Sequence, residues 1–452
     1  MRIASIGIAL MICLEGGTQV LDIGSRLELF VDDYLIESMT GVTQELQHPV
    51  PQEVAFSFDN PWEGDTSFYV TVFQDDGLVR CYFRGSGSAA EGGHQLTCYA
   101  ESPDGISWTR PALGLHEWEG NNATNIIWTG PGTHNFAPCL DTSPDCKPEE
   151  RYKALAGGPL VALSSPDGIH WELMRDEPVI TEGAFDSQNL AFYDAVKGEY
   201  VAYLRDFKDG VRHIRRATSQ DFLNWTSPEW LEFDVPNEHL YTNATVPYLR
   251  APHIYLAFPK RFVPARQKVK EHKDVGVSDG VFMCSRDGLN WHRYVEAFLR
   301  PGLDRNNWTE RNNHIACGMI QTSPIELSLY WVENYRHPTC RLRRGSLRLD
   351  GFVSISADAP GGELITKPLT FAGKQLVINY ETSAIGSVQV EIQNESGAAI
   401  PGFELSPEIY GDEIAHTVTW GTGTDVSKLA GTTVRLKFAL KDADLYSIRF
   451  VD

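Results

Sequence analysis

Three carboxylates stand beside segments that alternate like β-strands, and their positions suit them best for chemistry. Asp186 lies in a polar run, residues 185–189, at the start of a strand-like segment. Glu63 precedes another such segment, and Glu333 follows a long apolar one. Two carboxyl groups in one cleft can divide the work of an acid and of a base or nucleophile. We therefore expect Asp186 and one of the other two to face the same cleft as a catalytic pair.

Each of these carboxylates also fits a structural role. Glu63 lies in a loop and could cap a turn, whereas Glu333 could form a salt bridge from a second strand. Asp186 could equally belong to the scaffold. Two other acids are weaker candidates, because Asp141 lies in a Pro-flanked turn and Glu310 in an Asn-rich loop.

Amide, imidazole and phenol side chains recur in the segments that precede or open the same strands. This mix of donors and acceptors suits a ligand rich in hydroxyl groups. The predicted ligand-binding residues of this kind are His134, Asn135, Gln188, Asn189, Tyr241, Asn243 and His314. Arg84 and Arg205, each at the end of a second strand, could contact an acidic ligand group or pair with neighbouring carboxylates.

The elements that must position these residues are marked by a turn motif, S-x-D-G-x-x-W, that the chain repeats. The four copies are residues 102–108, 165–171, 219–225 and 285–291. Each follows an alternating run, so Asp and Gly supply a hairpin turn and Trp returns to the core. The third copy has Phe222 in place of Gly and must build its turn differently. Such a repeat predicts a modular architecture.

A period of this length, made of strands and turns, is typical of a propeller blade of four strands. Four blades carry the motif, and a fifth is inferred over residues 314–349 from length and strand pattern alone. The motif Trp side chains should be buried at equivalent positions between blades. Residues 27–36 form a further strand that could complete the last blade, because an open ring leaves an edge exposed.

After residue 349 the pattern changes to alternating segments split by Gly, Asn and Ser turns, which is typical of a β-sandwich. The predicted fold is therefore all-β, with a five-bladed β-propeller over residues 26–349 followed by a C-terminal β-sandwich over residues 350–452.

The N-terminus carries Arg2 and then a mostly apolar run, residues 3–14. This indicates a signal peptide over residues 1–20 and a secreted or periplasmic protein, although an ordinary N-terminal strand is the alternative. A formal charge of −21 argues against nucleic-acid and anionic-membrane partners. The 8 cysteines form no C-x-x-C pair and no metal-ligand spacing, so we expect no metal and no cofactor.

The predicted architecture with S-x-D-G-x-x-W turns resembles glycoside hydrolases of family 32, the invertases and fructanases, and the arabinanase-like family 43. Residues 30–36 and 347–352 further resemble uncharacterised bacterial family-32-like proteins. The sequence lacks the W-x-N-D-P-N-G and E-C blocks of family 32, and residues 205–207 match its R-D-P block only in part. The fructan-cleaving triad is therefore not carried over.

The resemblance implies an exported glycoside hydrolase that acts on a plant or algal polysaccharide or oligosaccharide through two carboxyl groups. The alternative is a non-catalytic carbohydrate-binding propeller that has kept the funnel and lost the acid/base pair. The missing family-32 blocks favour the binder, whereas the polar inner segments fit both.

Overall fold

The computed structural model describes residues 20–87, 93–421 and 423–452, whose regular secondary structure is almost entirely β-strand. The predicted signal peptide, apart from Val20, lies outside the described residues. No helix in the described ranges is long and apolar enough to span a membrane. The chain divides into two compact units, Gln44–Ser354 and a second that joins the residues up to Thr43 with Ile355–Asp452.

The first three sheets of the larger unit are four-stranded antiparallel meanders that follow one another along the chain. The first sheet contains Phe68–Asp75, Leu78–Gly85, Leu96–Ser102 and Ile126–Trp128; the second Ala137–Leu140, Tyr152–Gly157, Leu160–Ser165 and Glu172–Leu173; the third Leu190–Asp194, Glu199–Lys208, Val211–Ser219 and Glu229–Trp230.

The fourth sheet is built in two parts. One part contains Val246–Tyr248, Ala251–Ala257, Met283–Ser285 and Asn290–Arg293, with Glu232–Phe233 parallel to the last; the other contains His239–Leu240, Lys260–Val263 and Val277–Gly280. The break between Ala251–Ala257 and Lys260–Val263 falls at Phe258 and Pro259. Proline has no N–H to give to a ladder, so the strand cannot run through it unbroken.

The fifth sheet is closed by a strand from the other end of the unit. His314–Ile315 and Ile320–Ser323 pair with Glu326–Glu333, which pairs with Arg341–Arg348. Val50–Ser57 then adds the outermost strand, antiparallel to Arg341–Arg348. A strand near the N-terminal end of the unit thus completes its last sheet, which is the kind of closure that the sequence predicts.

The closing strand is not the predicted one, residues 27–36. Glu28–Leu29 instead pairs with Arg435–Val451 in the smaller unit. Residues 27–31 are buried without alternation, so this segment needs cover on both faces and suits a core. Val50–Ser57 is largely exposed and carries Pro51, which suits an outer edge. The predicted boundary at residue 26 therefore moves to residue 44.

The motif turns share one hydrogen-bond pattern. In the three complete copies the Ser Oγ accepts from the Gly N–H at 2.8 Å, while the Asp Oδ1 accepts from the two N–H groups that follow the Gly. Phe222, which replaces Gly in the third copy, adopts the same positive φ, 66°. Its ring is fully buried, and that burial offsets the strain of the left-handed conformation.

Each complete turn seats on a tyrosine of the preceding sheet. The Oη of Tyr203, in the third sheet, donates to the carbonyl of Gly288 at 3.0 Å, and Tyr330 Oη of the fifth sheet donates to Gly105 at 2.5 Å. The first sheet's turn therefore rests on the fifth. Of the motif tryptophans, Trp171 and Trp291 are buried but the other two only half-buried, so the prediction of equal burial is wrong for those two.

A second recurrent link joins neighbouring sheets. An Asp at the end of a sheet's first strand accepts a hydrogen bond from a Tyr on the second strand of the next sheet. The pairs are Asp75 with Tyr152, Asp141 with Tyr200 and Asp194 with Tyr255. Asp141 also accepts from Lys153, so this weak candidate for catalysis is a structural residue.

The smaller unit is built around two long antiparallel strands, Gln375–Gln393 and Arg435–Val451. Its other strands are Leu21–Gly24, Glu28–Leu29, Ile36–Thr40, Gly362–Thr366, Leu369–Phe371 and Asp412–Thr417, and Val42–Leu46 and Val353–Ala357 cross the boundary between the units. Both halves of each long strand bury apolar side chains in one core. The three 3-10 helices of the described chain are Pro148–Glu150, Arg305–Asn307 and Ser427–Leu429.

Substitution of the turn glycine Gly168 should reveal the seat on the preceding sheet. Its φ is +77°, and an added Cβ would lie 2.6 Å from Tyr82 Oη. Gly210 has nearly the same φ, +79°, with nothing within 4 Å of the added Cβ. Gly210→Ala should cost about 1–2 kcal/mol from backbone strain alone, and Gly168→Ala about 1–3 kcal/mol more from overpacking. Urea unfolding of both variants measures the difference, and equal losses would contradict this packing.

Candidate functional site

Two adjoining cavities in the larger unit form one cleft. The first has a volume of about 610 Å³ and the second about 630 Å³, and they share Gln95 and His134. Charged side chains dominate the first cavity, namely Arg84, His272, Lys273, Asp274, Arg311 and Arg336. The second contains Asp186 among backbone-rich loops. The first-choice catalytic candidate is thus an open-cleft residue, and its side chain is 61% exposed.

Asp186 is held by a chain of hydrogen bonds through His134. The Nδ1 of His134 lies 3.3 Å from Nη1 of Arg84, which can only donate. His134 therefore carries its proton on Nε2 and donates it to Asp186 Oδ1 at 2.9 Å. The Oη of Tyr241 donates to the same oxygen at 3.3 Å and lies 2.9 Å from the Oη of Tyr69.

These neighbours keep Asp186 ionised. The hydrogen bond from His134 holds the pKa of Asp186 well below its ordinary value of 3.8, and the positive charges of Arg205 and Arg311 act in the same direction. Burial and the nearby Asp186 charge raise the pKa of Tyr241, which stays a neutral donor. A carboxylate fixed and charged in this way can act as a base, a nucleophile or an electrostatic stabiliser.

Glu310 is the carboxyl group with the opposite environment. It is buried, its Oε2 lies 2.5 Å from His272 Nε2, and its Oε1 lies 3.0 Å from Nη1 of Arg336. Burial raises the pKa of Glu310 above its ordinary value of 4.5, although His272 and Arg311 oppose the shift. Glu310 lies just behind the wall of the first cavity, since His272 and Arg336 both line that cavity. This weakest sequence candidate is the one that the structure connects to the cleft.

His272, Asp274 and Glu310 are also the residues with metal-ligand chemistry. One ligand atom from each lies within 4.8 Å of the other two. The guanidinium of Arg336 contacts both carboxylates and offsets one of their two negative charges. The expectation of no metal stays a prediction, because the ligand types here suit a divalent cation.

Glu63 and Glu333 lie apart from this cleft, since neither is among the described residues that line its two cavities. Glu63 is buried against Arg110 at 2.6 Å, and burial raises its pKa. Glu333 accepts from Arg341 at 2.7 Å and from Arg343 at 3.1 Å. No hydrogen bond or ion pair of the described residues links either carboxyl group to Asp186. Each pairs instead with arginine in the scaffold, because a buried carboxylate requires a cationic partner.

The three predicted asparagines bind backbone. Asn135 Nδ2 lies 2.8–3.0 Å from the carbonyls of residues 157, 185 and 187, and its Oδ1 accepts from Gly157 N at 2.7 Å. Asn189 makes similar bonds to residues 185, 187 and 205, and Asn243 to residues 203 and 245. All three are buried. Their role is to fix the backbone just before the first strand of the second, third and fourth sheets. This role corrects the prediction that they bind a ligand.

The remaining candidates divide between the cleft and the interior. His134 and Arg84 line the cleft, and Tyr241 reaches Asp186 from beneath. Gln188, Arg205 and His314 lie in the interior. Gln188 donates to Val70 O and Thr71 Oγ1, and Arg205 donates to Ala184 O. The Nδ1 of His314 lies 3.1 Å from Thr242 Oγ1, and burial lowers the pKa of His314 well below its ordinary value of 6.5.

Several residues in or beside the cleft are not predicted by the sequence patterns. Tyr69, Arg311 and Arg336 have positive φ values of 52°, 64° and 63°. Non-glycine residues in this conformation concentrate at functional sites, where the surrounding structure holds the strain. Lys260 is also new: its Nζ lies 4.2 Å from the centre of the Tyr241 ring. No local motif marks these residues, because their conformation and neighbours arise from tertiary structure.

A third cavity, of about 450 Å³, is mainly apolar and is lined by residues at or beside the first strands of all five sheets. Thr71, Cys139, Ala191, Val246 and Ile320 represent the five sheets in its wall. The first strands of the five sheets therefore surround a common space.

No family model matches the chain. No curated protein matches it either. Among solved structures, the chain is similar to a glycoside hydrolase (12% identity, 69% of this chain and 95% of that one, TM-score 0.47). It is also similar to an N-acetylgalactosamine deacetylase from F. plautii (12% identity, 69% and 96%, TM-score 0.47). A third is a glycosyl hydrolase from Bacteroides ovatus (15% identity, 72% and 93%, TM-score 0.39).

Replacement of Asn135 should test its backbone role. Asn135→Ala removes the partner of the Gly157 N–H and carbonyl and one donor to the carbonyls of residues 185 and 187, and should lower the free energy of unfolding by about 2 kcal/mol or more. Gln95→Ala, at an exposed position of the same cleft, should unfold like the wild type. Urea denaturation distinguishes the two, and an Asn135→Ala protein of normal stability would return Asn135 to the ligand-binding set.

Proposed function

We propose that this protein is a glycoside hydrolase whose two carboxyl groups are Asp186 and Glu310. The observation that carries the proposal is that His272 connects Glu310, a buried acid, to the cleft in which Asp186 is exposed, and that the pKa values of the two acids are shifted in opposite directions. Such a pair supplies an ionised carboxylate and a protonated acid at the same pH, which glycosidic cleavage requires.

The sheets support the architecture that goes with this activity. We propose that the five sheets are blades of a five-bladed propeller. Supporting this are the cavity lined from all five sheets, the turn of the first sheet resting on the fifth, and the closure of the fifth by Val50–Ser57. The smaller unit, with one core fed by both halves of two long strands, fits a β-sandwich.

In the proposed reaction the scissile bond lies near His134, where the two cavities meet. Asp186, oriented by His134 and Tyr241, faces the anomeric carbon as base, nucleophile or stabiliser of the positive charge that develops there. As the bond between the anomeric carbon and the leaving oxygen breaks, that oxygen takes a proton. The anomeric carbon bonds to water, either directly with Asp186 as the base or after a covalent intermediate with Asp186 that water then hydrolyses.

Glu310 is the source of that proton, and His272 is the route. His272 lines the cavity and Glu310 does not, so we place the imidazole between the acid and the leaving oxygen. His272 accepts the Glu310 proton at Nε2 and releases the proton on Nδ1 to the leaving group, which leaves Glu310 ionised. Arg336 then stabilises the new carboxylate.

We propose that the protein is exported, because Arg2 and the apolar run of residues 3–14 have the pattern of a signal peptide. We also propose a plant or algal polysaccharide or oligosaccharide as its substrate, the class that the resemblance to families 32 and 43 implies. Screening a polysaccharide library for newly released reducing ends identifies the substrate.

Exchange of each acid for its amide should separate the catalytic carboxyls from the structural ones. On the substrate identified above, Asp186→Asn and Glu310→Gln should each lower kcat/KM about 100-fold or more, with the melting temperature nearly unchanged for Asp186→Asn. Glu63→Gln and Glu333→Gln are the matched controls and should keep wild-type kcat. Wild-type turnover by Asp186→Asn would place Asp186 in the scaffold, and glycan binding without any cleavage by the wild type would favour the carbohydrate-binding alternative.

The pH dependence of kcat/KM should be bell-shaped. Activity falls as the pH decreases toward the depressed pKa of Asp186, below 3.8, because the protonated acid loses its charge. It falls again as the pH rises through the pKa of Glu310, above 4.5, because the acid has lost its proton. The residual activity of Glu310→Gln should lack the alkaline limb. An alkaline limb that persists unchanged in that variant would assign it to another group.

A further inference from the structure

The cleft is cationic although the protein is strongly acidic. The formal charge of the chain is −21. The wall of the first cavity nevertheless presents four permanent cations, Arg84, Lys273, Arg311 and Arg336, and one carboxylate, Asp274. A local excess of positive charge against such a background is a property of this site rather than of the surface as a whole.

More positive charge lies directly behind the cleft. Arg205, Arg212 and Lys260 surround the ring of Tyr241, at 5.4, 5.7 and 4.2 Å from its centre. With the four cavity residues they make seven basic side chains. The carboxylates that face this group are four, namely Asp65, Asp186, Asp274 and Glu310. These four carboxylates are too few to pair with all seven basic side chains.

Part of this charge lacks hydrogen-bond partners. Lys260 Nζ, Arg84 Nε and Arg212 Nε are buried without one among the described residues. Lys260 is 1% exposed, and burial and the charges of Arg311 and Arg212 lower its pKa well below the ordinary value. Burial and Arg205 lower the pKa of Arg212 in the same way. Assembling these cations is costly, and a bound anion would offset that cost.

We infer that the glycan bound in this cleft carries an anionic substituent, a uronate carboxylate or a sulfate ester, seated in the first cavity against Arg336 and Lys273. The inference rests on the proposed function in taking the ligand to be a carbohydrate. Both groups present oxyanions to guanidinium and ammonium donors, and Arg binds such groups through paired N–H bonds. Arg336 is half-buried and Lys273 exposed, so both can reach a ligand from the wall.

The test measures binding by isothermal titration calorimetry with two matched pairs of oligosaccharides. Oligogalacturonate is compared with its methyl ester for the carboxylate, and carrageenan oligosaccharides with their desulfated form for the sulfate. The charged member of at least one pair should bind at 50 mM salt and weaken at least tenfold at 500 mM, since surface ion pairs are screened. The neutral member should bind at least tenfold more weakly at 50 mM salt.

Two variants locate the binding. Lys273→Met and Arg336→Met should each weaken binding of the charged oligosaccharide about tenfold, while the controls Lys428→Met, in the smaller unit, and Arg175→Met, bonded to backbone carbonyls, should not. Lys273 is exposed, so its variant keeps the test valid if Arg336→Met fails to fold. Equal binding of charged and neutral members, or no effect of Lys273→Met, would overturn the inference even if neutral glycans were hydrolysed. Charged glycans that bind through Lys273 but are never cleaved would uphold it and count against the hydrolase.

Discussion

The amide of Asn135 fixes the geometry on which the cleft depends. It follows His134 in the chain and bonds to the carbonyls of residues 185 and 187, on either side of Asp186. One buried side chain therefore links the backbone that carries the imidazole to the backbone that carries the carboxylate. Asn189 supports the same loop from its other side. The side chains of His134 and Asp186 need no rigid packing of their own, because the backbone that carries them is held in place.

Charge distinguishes the two acids more than position does. Asp186 is open to solvent and surrounded by donors and cations, so its ionised form is favoured. Glu310 is buried, and desolvation outweighs the attraction of His272 and Arg311. The same surplus of positive charge thus stabilises one carboxylate strongly and the other too weakly to overcome burial.

Sequence patterns predicted what depends on local chemistry. The turn motif, the succession of sheets and the polar run around Asp186 all follow from hydrogen bonds or alternation within a few residues. Ligand binding was predicted for the three asparagines because an amide just before a sheet's first strand has the same sequence context whether it binds backbone or a ligand. Glu63 pairs with Arg110, 47 residues further along the chain, which no local pattern predicts. Glu333 pairs with Arg341 on the adjacent strand, which is the structural alternative that its position also allowed. Glu310 was underrated because only the fold places it behind His272.

The pairing of Val50–Ser57 with Arg341–Arg348 has a consequence for how the larger unit is made. Glu53 and Arg344, which meet in this pair of strands, are 291 residues apart in sequence. An edge strand made early must stay unpaired until nearly the whole unit has left the ribosome, and such non-local pairing is slow to form. Pro51 and Glu53 on that strand disfavour its pairing with other chains while it is still unpaired. Closure of the fifth sheet is therefore the step at which folding of this unit is most exposed to aggregation, and the step at which a chaperone would help most.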